Sequence, residues 1–224
     1  MGTSNWQQIS YCVGVIRDII PKSILDVGVG FGRWGILSRE FLEVWESRNN
    51  SKDWKVLIDG IEIFPGAIED YHYRFYNNIY IADATEFVKK MEQHYDLIIL
   101  GDVLEHISKE KAEKFLLDCL KKSDYVLLNI PIGKYWKQEE KYGNTHEQHL
   151  SFWSNSEFNK FGLIRKKKFR DFLHRKYSVF VLSQKRSNLK NRLSYKEKIV
   201  VLLNQYPKTK EKLKRILFYS RTEK

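Results

Sequence analysis

Residues 24–35, ILDVGVGFGRWG, place three glycines between an apolar, β-rich run and the start of a helical pattern. Gly28, Gly30 and Gly32 carry no Cβ, so the backbone can turn tightly there and approach a ligand closely. The same spacing also occurs in tight strand–helix turns that bind nothing. The acidic Asp26 at the strand end favours a ligand with a cationic amino-acid part over a pyrophosphate. The segment therefore predicts a strand–turn–helix unit with a ligand site at its turn.

Short β-rich runs alternate with helical patterns through the chain up to about residue 130. The predicted strands cover residues 24–29, 55–63, 78–82, 95–100 and 125–130. The predicted helices cover residues 6–20, 34–45, 85–93 and 108–121, and a further helix is expected to begin at Pro65. Strands separated by helices favour a parallel sheet with helices on both faces.

The pattern changes after this alternation. Residues 162–170 and 177–184 are predicted to pair as an antiparallel hairpin through a short polar turn. Beyond the hairpin, residues 185–224 hold thirteen Lys and Arg against three Glu, so nearly all of the net charge of +11 lies there. We therefore expect a nearly neutral body of residues 1–184, followed by a basic amphipathic helical tail of residues 185–224.

Composition excludes several classes of protein. With 42% hydrophobic and 14% aromatic residues, the chain can build a sizeable core, which argues against global disorder. No apolar run is long enough to span a bilayer, and the N-terminus lacks the pattern of a signal peptide. Cys12 and Cys119 stand in apolar helical patterns and are expected to be buried free thiols. These features predict a cytoplasmic protein.

Two acids follow the next predicted strands. Glu62 ends the second strand, where its carboxylate could accept hydrogen bonds from both hydroxyls of a ribose. Asp83 follows the third strand and could accept a hydrogen bond from an adenine amino group, with Ile63 and Ala84 flanking the ring. Asp83 could equally cap the helix that follows it, and the two roles are compatible.

The fourth strand leads into residues 95–107, YDLIILGDVLEHI, and here the chain resembles class I S-adenosylmethionine (SAM)-dependent methyltransferases. The segments LDVGVGFG, IEIF, ADA and YDLIILGDVLEHI stand in that family's order and spacing. The resemblance implies a Rossmann-like α/β fold, whose mostly parallel seven-stranded sheet ends in an antiparallel hairpin. It also implies SAM as cofactor and S-adenosylhomocysteine as product. The implied cofactor contacts are Asp26, Gly28, Gly30, Gly32, Glu62, Ile63, Asp83, Ala84, Asp102 and Leu104.

Within the family, the chain resembles O-methyltransferases of the ubiquinone-biosynthesis type and small methyltransferases of surface-polysaccharide gene clusters. Residues 102–106, DVLEH, and 149–158, HLSFWSNSEF, carry this resemblance. It implies that the methyl acceptor is a hydroxyl of a small molecule or a saccharide. One departure is Val29, where cysteine or alanine is usual, and it should not disturb binding through backbone groups.

A hydroxyl acceptor has to lose its proton during methyl transfer, which calls for a general base. His106 and His149 are equal candidates for that base, and Asp102 is predicted to face the reacting groups. These three residues and Glu105 could instead hold a divalent metal such as Mg, Mn or Zn. That pattern is similar to metal-dependent 2′-O-methyltransferases of small-RNA 3′ ends. Because the first acid here is Asp rather than the longer Glu, a metal-free site is the preferred interpretation.

The loop of residues 133–153 is long for a connection in such a domain, and it is predicted to cover the acceptor site. Its flat aromatic and hydrogen-bonding side chains suit a sugar ring, an aromatic ring or a base. The predicted substrate contacts are Tyr135, Trp136, His146, His149 and Trp153. Some of these aromatics could instead pack the loop down.

Three functions stay open from the sequence. The preferred function is O-methylation of a small molecule or saccharide. RNA methylation is favoured by the basic tail and the metal pattern, but the neutral body carries no recognised RNA-binding module. The third is a SAM-binding protein without catalysis that docks through its tail. The tail could contact an anionic membrane or a protein partner, placing the protein peripherally at the membrane, or pack on its own domain.

Overall fold

The computed structural model of the chain describes residues 5–134, 136, 138–139, 143, 145–185 and 189. Its strands are β1 Ser23–Val27, β2 Leu57–Glu62, β3 Asn78–Ile81, β4 Tyr95–Gly101, β5 Ser123–Pro131, β6 Leu163–Arg170 and β7 Lys176–Leu182. Its α-helices are α1 Ile9–Ile19, α2 Arg33–Leu42, α3 Ala84–Lys90 and α4 Lys109–Lys121. Short 3-10 helices lie at Val44–Glu46, Ser51–Asp53, Pro65–Ala67, Asp70–Arg74, Leu104–His106, Thr145–Glu147 and Glu157–Phe161.

The seven strands form one sheet in the order β3-β2-β1-β4-β5-β7-β6. Strands β1 to β5 pair in parallel, and β7 lies antiparallel between β5 and β6. The predicted fold class, a mostly parallel sheet with one antiparallel hairpin, is therefore confirmed. The strand order reverses between β1 and β4, which is where open α/β sheets form their ligand clefts.

Strand β1 is buried on both faces of the sheet. Along β1, Leu25 and Val27 belong to a buried cluster with Phe115 and Leu116 of α4. The alternate residue Ile24 is also fully buried, because neighbouring strand residues point to opposite faces. A strand buried on both faces needs a continuous apolar run, and that is the pattern by which β1, β4 and β5 could be predicted.

Several predicted helices differ from the structure, and the helix predicted for residues 85–93 ends at Lys90. The helix predicted for residues 34–45 ends at Leu42, where the buried Glu43 carboxylate accepts hydrogen bonds from the backbone N–H groups of Lys55 and Val56 at 2.7 and 2.6 Å. A helix begins at Pro65, as expected, but it is a short 3-10 helix. The chain forms the 3-10 helices Pro65–Ala67 and Asp70–Arg74 there, and the buried His72 ring contacts the carbonyl oxygen of Gly30 at 3.0 Å.

Cys12 and Cys119 are buried free thiols, as predicted. Among the described residues, no helix is long and apolar enough to cross a membrane. Apart from Lys185 and Leu189, the predicted tail of residues 185–224 lies outside the described residues.

Candidate functional site

A cleft of about 710 Å³ opens at the carboxyl ends of the parallel strands. Its volume is in the range that small-molecule and cofactor sites occupy. The site residues predicted from the sequence that line it are Gly28, Gly30, Glu62, Ile63, Asp83, Ala84, Asp102, Glu105, His106, Trp136, His146 and His149. Predicted residues from four strand ends and one long loop thus meet in a single cleft.

The glycine loop forms the floor of the cleft beside β1. Gly28, Gly30 and Gly32 have φ angles of 74°, 50° and 81°, a region that side chains with a Cβ rarely adopt. A Cβ on Gly28 would lie 2.9 Å from a methyl carbon of Val103. Gly32 does not line the cleft; it begins α2 beside His72. The loop therefore needs glycine for its conformation and for close packing.

Glu62 is held at the end of β2 against the glycine loop. Its Oε2 accepts a hydrogen bond from the backbone N–H of Gly30 and its Oε1 accepts one from Phe64, both at 3.0 Å. The side chain is buried, yet it lines the cleft. Each carboxylate oxygen has a second lone pair, so the group can still accept hydrogen bonds from a ligand's hydroxyls.

Asp83 both caps a helix and lines the cleft. Its Oδ1 accepts hydrogen bonds from the backbone N–H and the hydroxyl of Thr85 at 2.8 and 2.6 Å, which confirms the predicted N-cap of α3. Burial raises the pKa of Asp83, but the hydrogen bonds from Thr85 and Lys111 outweigh it and lower the pKa overall. The carboxylate is therefore ionised where it faces the cleft.

Asp26 and Leu104, two predicted cofactor contacts, do not line the cleft. Both are fully buried. Asp26 lies behind the glycine loop, where its Oδ2 accepts a hydrogen bond from the Tyr76 hydroxyl at 2.5 Å. Burial raises the pKa of Asp26 to about 7, the Tyr76 hydrogen bond opposes this rise, and the charge of Glu62 adds to it. The structure thus gives Asp26 a supporting position under the loop.

The raised pKa predicts a pH-dependent stability. From about pH 4 to about pH 7 the folded chain keeps a proton on Asp26 that the unfolded chain has lost, so the free energy of unfolding falls as pH rises. Asp26→Asn cannot ionise, so its stability should fall less steeply, by up to about 1.4 kcal/mol per pH unit. Urea unfolding of both proteins across this range measures the difference. Parallel curves would contradict the assignment.

Asp102 occupies a strained turn at the end of β4. Its φ of 58° is unusual for a residue with a side chain, and such conformations concentrate at functional sites. Its backbone N–H donates to the carbonyl of Asn129 at 3.1 Å, which ties the turn to β5. Nearby, burial lowers the pKa of Arg33, and the charge of Asp102 opposes that shift. The Asp102 carboxylate and the Arg33 guanidinium therefore line the same part of the cleft.

Glu105, His106 and His149 form a compact cluster. One ligand atom from each lies within 4.8 Å of the others, and the two imidazole rings meet edge to face at 4.9 Å. Nδ1 of His106 lies 3.1 Å from the carbonyl oxygen of Gln148, and Nδ1 of His149 contacts that of Trp136. A carbonyl can only accept, so these contacts put each proton on Nδ1 and the lone pair on Nε2.

Burial shifts the pKa of two members of this cluster, Glu105 and His106. It raises the pKa of Glu105 well above its ordinary value, and the charge of Asp102 adds to the rise. Burial also lowers the pKa of His106, although the carbonyls of Gln148 and Glu147 oppose the shift. His106 is therefore neutral at pH 7 and able to accept a proton.

The predicted substrate residues separate into three groups. Trp136, His146 and His149 line the cleft. Tyr135 lies outside the described residues. Trp153 does not reach the cleft: it is 2% exposed, stacks on Phe158 at 5.0 Å and belongs to the hydrophobic core. Its prediction as a substrate contact is corrected, because core packing anchors this end of the loop.

Two arginines of the cleft wall were not predicted. The guanidinium carbon of Arg175 lies 3.9 Å from the centre of the Trp136 ring, and its Nε pairs with Asp171 at 2.8 Å. Arg33 donates to the carbonyl of Asn5 at 2.9 Å. Arg33 directly follows the glycine loop in the sequence, and from that position its place in the cleft wall could have been predicted. Arg175 stands in the turn between β6 and β7, far along the chain from the cleft motifs, and no sequence feature indicated that it reaches the cleft.

Solved structures share this fold at low sequence identity. The N-terminal domain of EvdMO1, solved in the presence of S-adenosylhomocysteine and D-fucose, matches with a TM-score of 0.56 and 13% identity over 81% of this chain and 85% of that one. TehB from Haemophilus influenzae matches with a TM-score of 0.55 and 13% identity over 79% of this chain, which spans only 62% of TehB.

A third similar structure is the 1,6-didemethyltoxoflavin-N1-methyltransferase of Burkholderia thailandensis with bound 1,6-didemethyltoxoflavin and S-adenosylhomocysteine. It matches with a TM-score of 0.51 and 10% identity over 79% of this chain and 80% of that one. No protein-family model and no curated protein matches the sequence. The fold is therefore the Rossmann-like fold of methyltransferases, as the resemblance implied.

Proposed function

We propose that the cleft binds SAM and that the chain transfers its methyl group to a hydroxyl of a small molecule or saccharide. One observation carries this proposal. The glycine loop, Glu62 and Asp83 line a single cleft at the carboxyl ends of the three adjacent strands β1, β2 and β3. The S-adenosylhomocysteine in two structures of the same fold supports the choice of ligand.

Each part of SAM has a chemically suited group in the cleft. The ribose hydroxyls donate to the Glu62 carboxylate, and the adenine amino group donates to Asp83 while Ile63 and Ala84 flank the ring. The amino-acid part lies along the glycine loop, whose missing side chains admit it closely. Calorimetric titration of the full chain with SAM tests this assignment, and absence of binding would contradict it.

Methyl transfer from a sulfonium is an in-line displacement, so the protein mainly holds two reactants in position. The acceptor oxygen forms a bond to the methyl carbon while the carbon–sulfur bond breaks, leaving S-adenosylhomocysteine. The hydroxyl proton passes to Nε2 of His106 or His149. Asp102, beside the same cleft wall, positions the acceptor or the methionine end of SAM.

The acceptor class rests on the far end of the cleft. Trp136, stacked against Arg175, presents a flat aromatic surface bordered by a guanidinium and by His146. Such surfaces suit the apolar face of a sugar or an aromatic ring, while the polar groups bind its hydroxyls. The D-fucose and toxoflavin compounds in the similar structures are small molecules of these kinds and support this acceptor class.

A divalent metal is the second candidate at this site. Among the described residues, Oε2 of Glu105 is buried and has no hydrogen-bond partner, and one ligand atom each of Glu105, His106 and His149 lies within 4.8 Å of the others. One carboxylate and two imidazoles suit Mn or Zn, whereas Asp102, the fourth ligand predicted from the sequence, is not part of this group. A bound metal would lower the pKa of the acceptor hydroxyl. This arrangement would also serve the alternative of metal-assisted RNA 2′-O-methylation.

Removal of metal decides between the two versions of the site. With a histidine base alone, exhaustive dialysis against a chelator should leave the methyl-transfer rate unchanged within about twofold. Loss of the rate, and its return with Mn²⁺ or Mg²⁺, would assign the cluster to a metal instead. Calorimetry with Mn²⁺ on wild-type and Glu105→Gln proteins gives a binding readout that does not depend on activity.

The basic tail supports a proposal of its own. Its charge suits an anionic membrane surface, where lipid-linked acceptors would be found, or an acidic protein partner. Deletion of residues 190–224 should lower partitioning to anionic vesicles, and unchanged partitioning would contradict this role. A chain that binds SAM but methylates nothing would favour the non-catalytic docking alternative.

A further inference from the structure

The turn between β6 and β7 exposes two adjacent apolar side chains. Phe172 and Leu173 are 79% and 59% exposed, and Phe172 is the most exposed large apolar side chain among the described residues. We call residues 171–175 the hairpin tip. Turns in water normally carry polar residues, so a Phe–Leu pair at the outermost point of a hairpin requires an explanation.

The hairpin tip is held in one conformation by Asp171. Its Oδ1 accepts hydrogen bonds from the backbone N–H groups of Leu173 and Arg175 at 3.0 and 2.8 Å, and its Oδ2 pairs with the Arg175 side chain. The N–H of His174, a residue with a φ of 59°, donates to the Asp171 carbonyl at 3.0 Å. The turn therefore presents its two apolar side chains in a fixed arrangement.

The hairpin around the tip is strongly basic. Residues 163–182 contain seven Lys and Arg, and their single acid is the buried Asp171, which is already paired with Arg175. Lys166, Lys167 and Lys168 are exposed on the edge strand β6, and none forms an ion pair within the described part of the chain. Lysines on an edge strand discourage sheet-to-sheet association, but that role does not account for the apolar tip.

We propose that the hairpin tip docks on an anionic lipid bilayer. Phe172 and Leu173 enter the boundary between headgroups and acyl chains, and the positive charge of the lysines of β6 attracts the anionic headgroups. Apolar side chains backed by cations are the combination that interfacial membrane binding uses. RNA would use the phenyl ring for stacking but offers little to an adjacent exposed leucine. A bilayer accommodates both side chains.

The hairpin tip also adjoins the cleft. Arg175, two residues after Leu173, lines the cleft wall, and the carbonyl of the next residue, Lys176, accepts a hydrogen bond from Trp136 at 2.7 Å. Docking through the tip would therefore hold the acceptor end of the cleft beside the membrane surface. The proposal does not depend on methyl transfer, since it concerns only where the chain binds.

Vesicle sedimentation of the full chain tests the proposal. The double variant Phe172→Ser/Leu173→Ser should bind vesicles of phosphatidylcholine and phosphatidylglycerol at least about tenfold more weakly than wild type. The matched control, Val44→Ser/Trp45→Ser, removes another adjacent exposed apolar pair and should bind like wild type. Because all three proteins carry the basic tail, its contribution cancels. Equal binding by all three would overturn the proposal.

A fluorescent label distinguishes insertion from surface attraction. Cys12 and Cys119 are buried, so an environment-sensitive dye attached to Leu173→Cys reports on the tip alone. Its emission should rise with anionic vesicles and stay unchanged with phosphatidylcholine or single-stranded RNA, while a dye at Trp45→Cys should not respond. If the chain sediments with vesicles but the emission of the dye at the hairpin tip does not change, docking through the tip is contradicted. A response to RNA but not to vesicles would assign the tip to nucleic acid and also contradict it.

Discussion

The Glu62→Gln variant is expected to bind SAM about 100-fold more weakly than wild type, because it loses two charge-assisted hydrogen bonds to the ribose. In wild type, the backbone N–H groups of Gly30 and Phe64 donate to the Glu62 carboxylate. The NH2 group of a glutamine would face one of these two donors and could not accept its hydrogen bond. The substitution therefore weakens the hydrogen bonding that holds the glycine loop as well as the contact with the ribose. Calorimetric titration measures the change in Kd.

The control for this variant is Asp59→Asn in the same strand. Asp59 is also buried, and its two oxygens accept hydrogen bonds from Asn78 and Tyr95 at 2.9 and 2.8 Å, away from the cleft. Its replacement should lower stability but change the Kd for SAM by less than about threefold. Equal loss of SAM affinity in both variants would mean that each substitution disrupts strand β2. Glu62 would then have no specific role in binding SAM.

The second large effect is expected at the histidine pair. His106→Ala or His149→Ala should lower kcat by about 100- to 10,000-fold while SAM still binds, because a general base contributes about that much. The rings meet at 4.9 Å, so in the proposed mechanism both residues can reach the same acceptor hydroxyl. The double variant should therefore lose little more than the more damaging single variant.

His94→Ala is the control for the histidine variants. His94 is outside the cleft, where its Nε2 lies 2.7 Å from the Asp124 carboxylate on the surface. Its loss should leave kcat within about twofold of wild type. Full activity in the His106→Ala/His149→Ala variant would show that neither histidine acts as the base. Catalysis would then rest only on holding SAM and the acceptor in position.

Most of the fold could be predicted because local patterns carry it. The apolar runs of β1, β4 and β5 and the glycines between β1 and α2 are readable from neighbouring residues alone. The kind of helix that follows Pro65 was harder to predict, because its conformation depends on distant contacts. His72, buried against the carbonyl of Gly30, stabilises a 3-10 helix that no local periodicity announces.

The site was predicted best where motif and strand end coincide, as at Glu62 and Asp83. Side-chain burial was harder to predict. Asp26 is turned away from the cleft by a hydrogen bond from Tyr76, fifty residues along the chain. Trp153 is drawn into the core by Phe158, and Arg175 reaches the cleft only because β7 lies beside β5. Burial and tertiary contacts of this kind are not fixed by composition and spacing.

The most direct measurement incubates the full chain with methyl-labelled SAM and a lysate that is then separated into RNA, lipid and glycan, and small-metabolite pools. We predict label in the glycan or small-metabolite pool with wild type and none with the His106→Ala/His149→Ala variant. Label in RNA would contradict the proposed acceptor. No label in any pool, from a chain that binds SAM by calorimetry, would contradict methyl transfer itself.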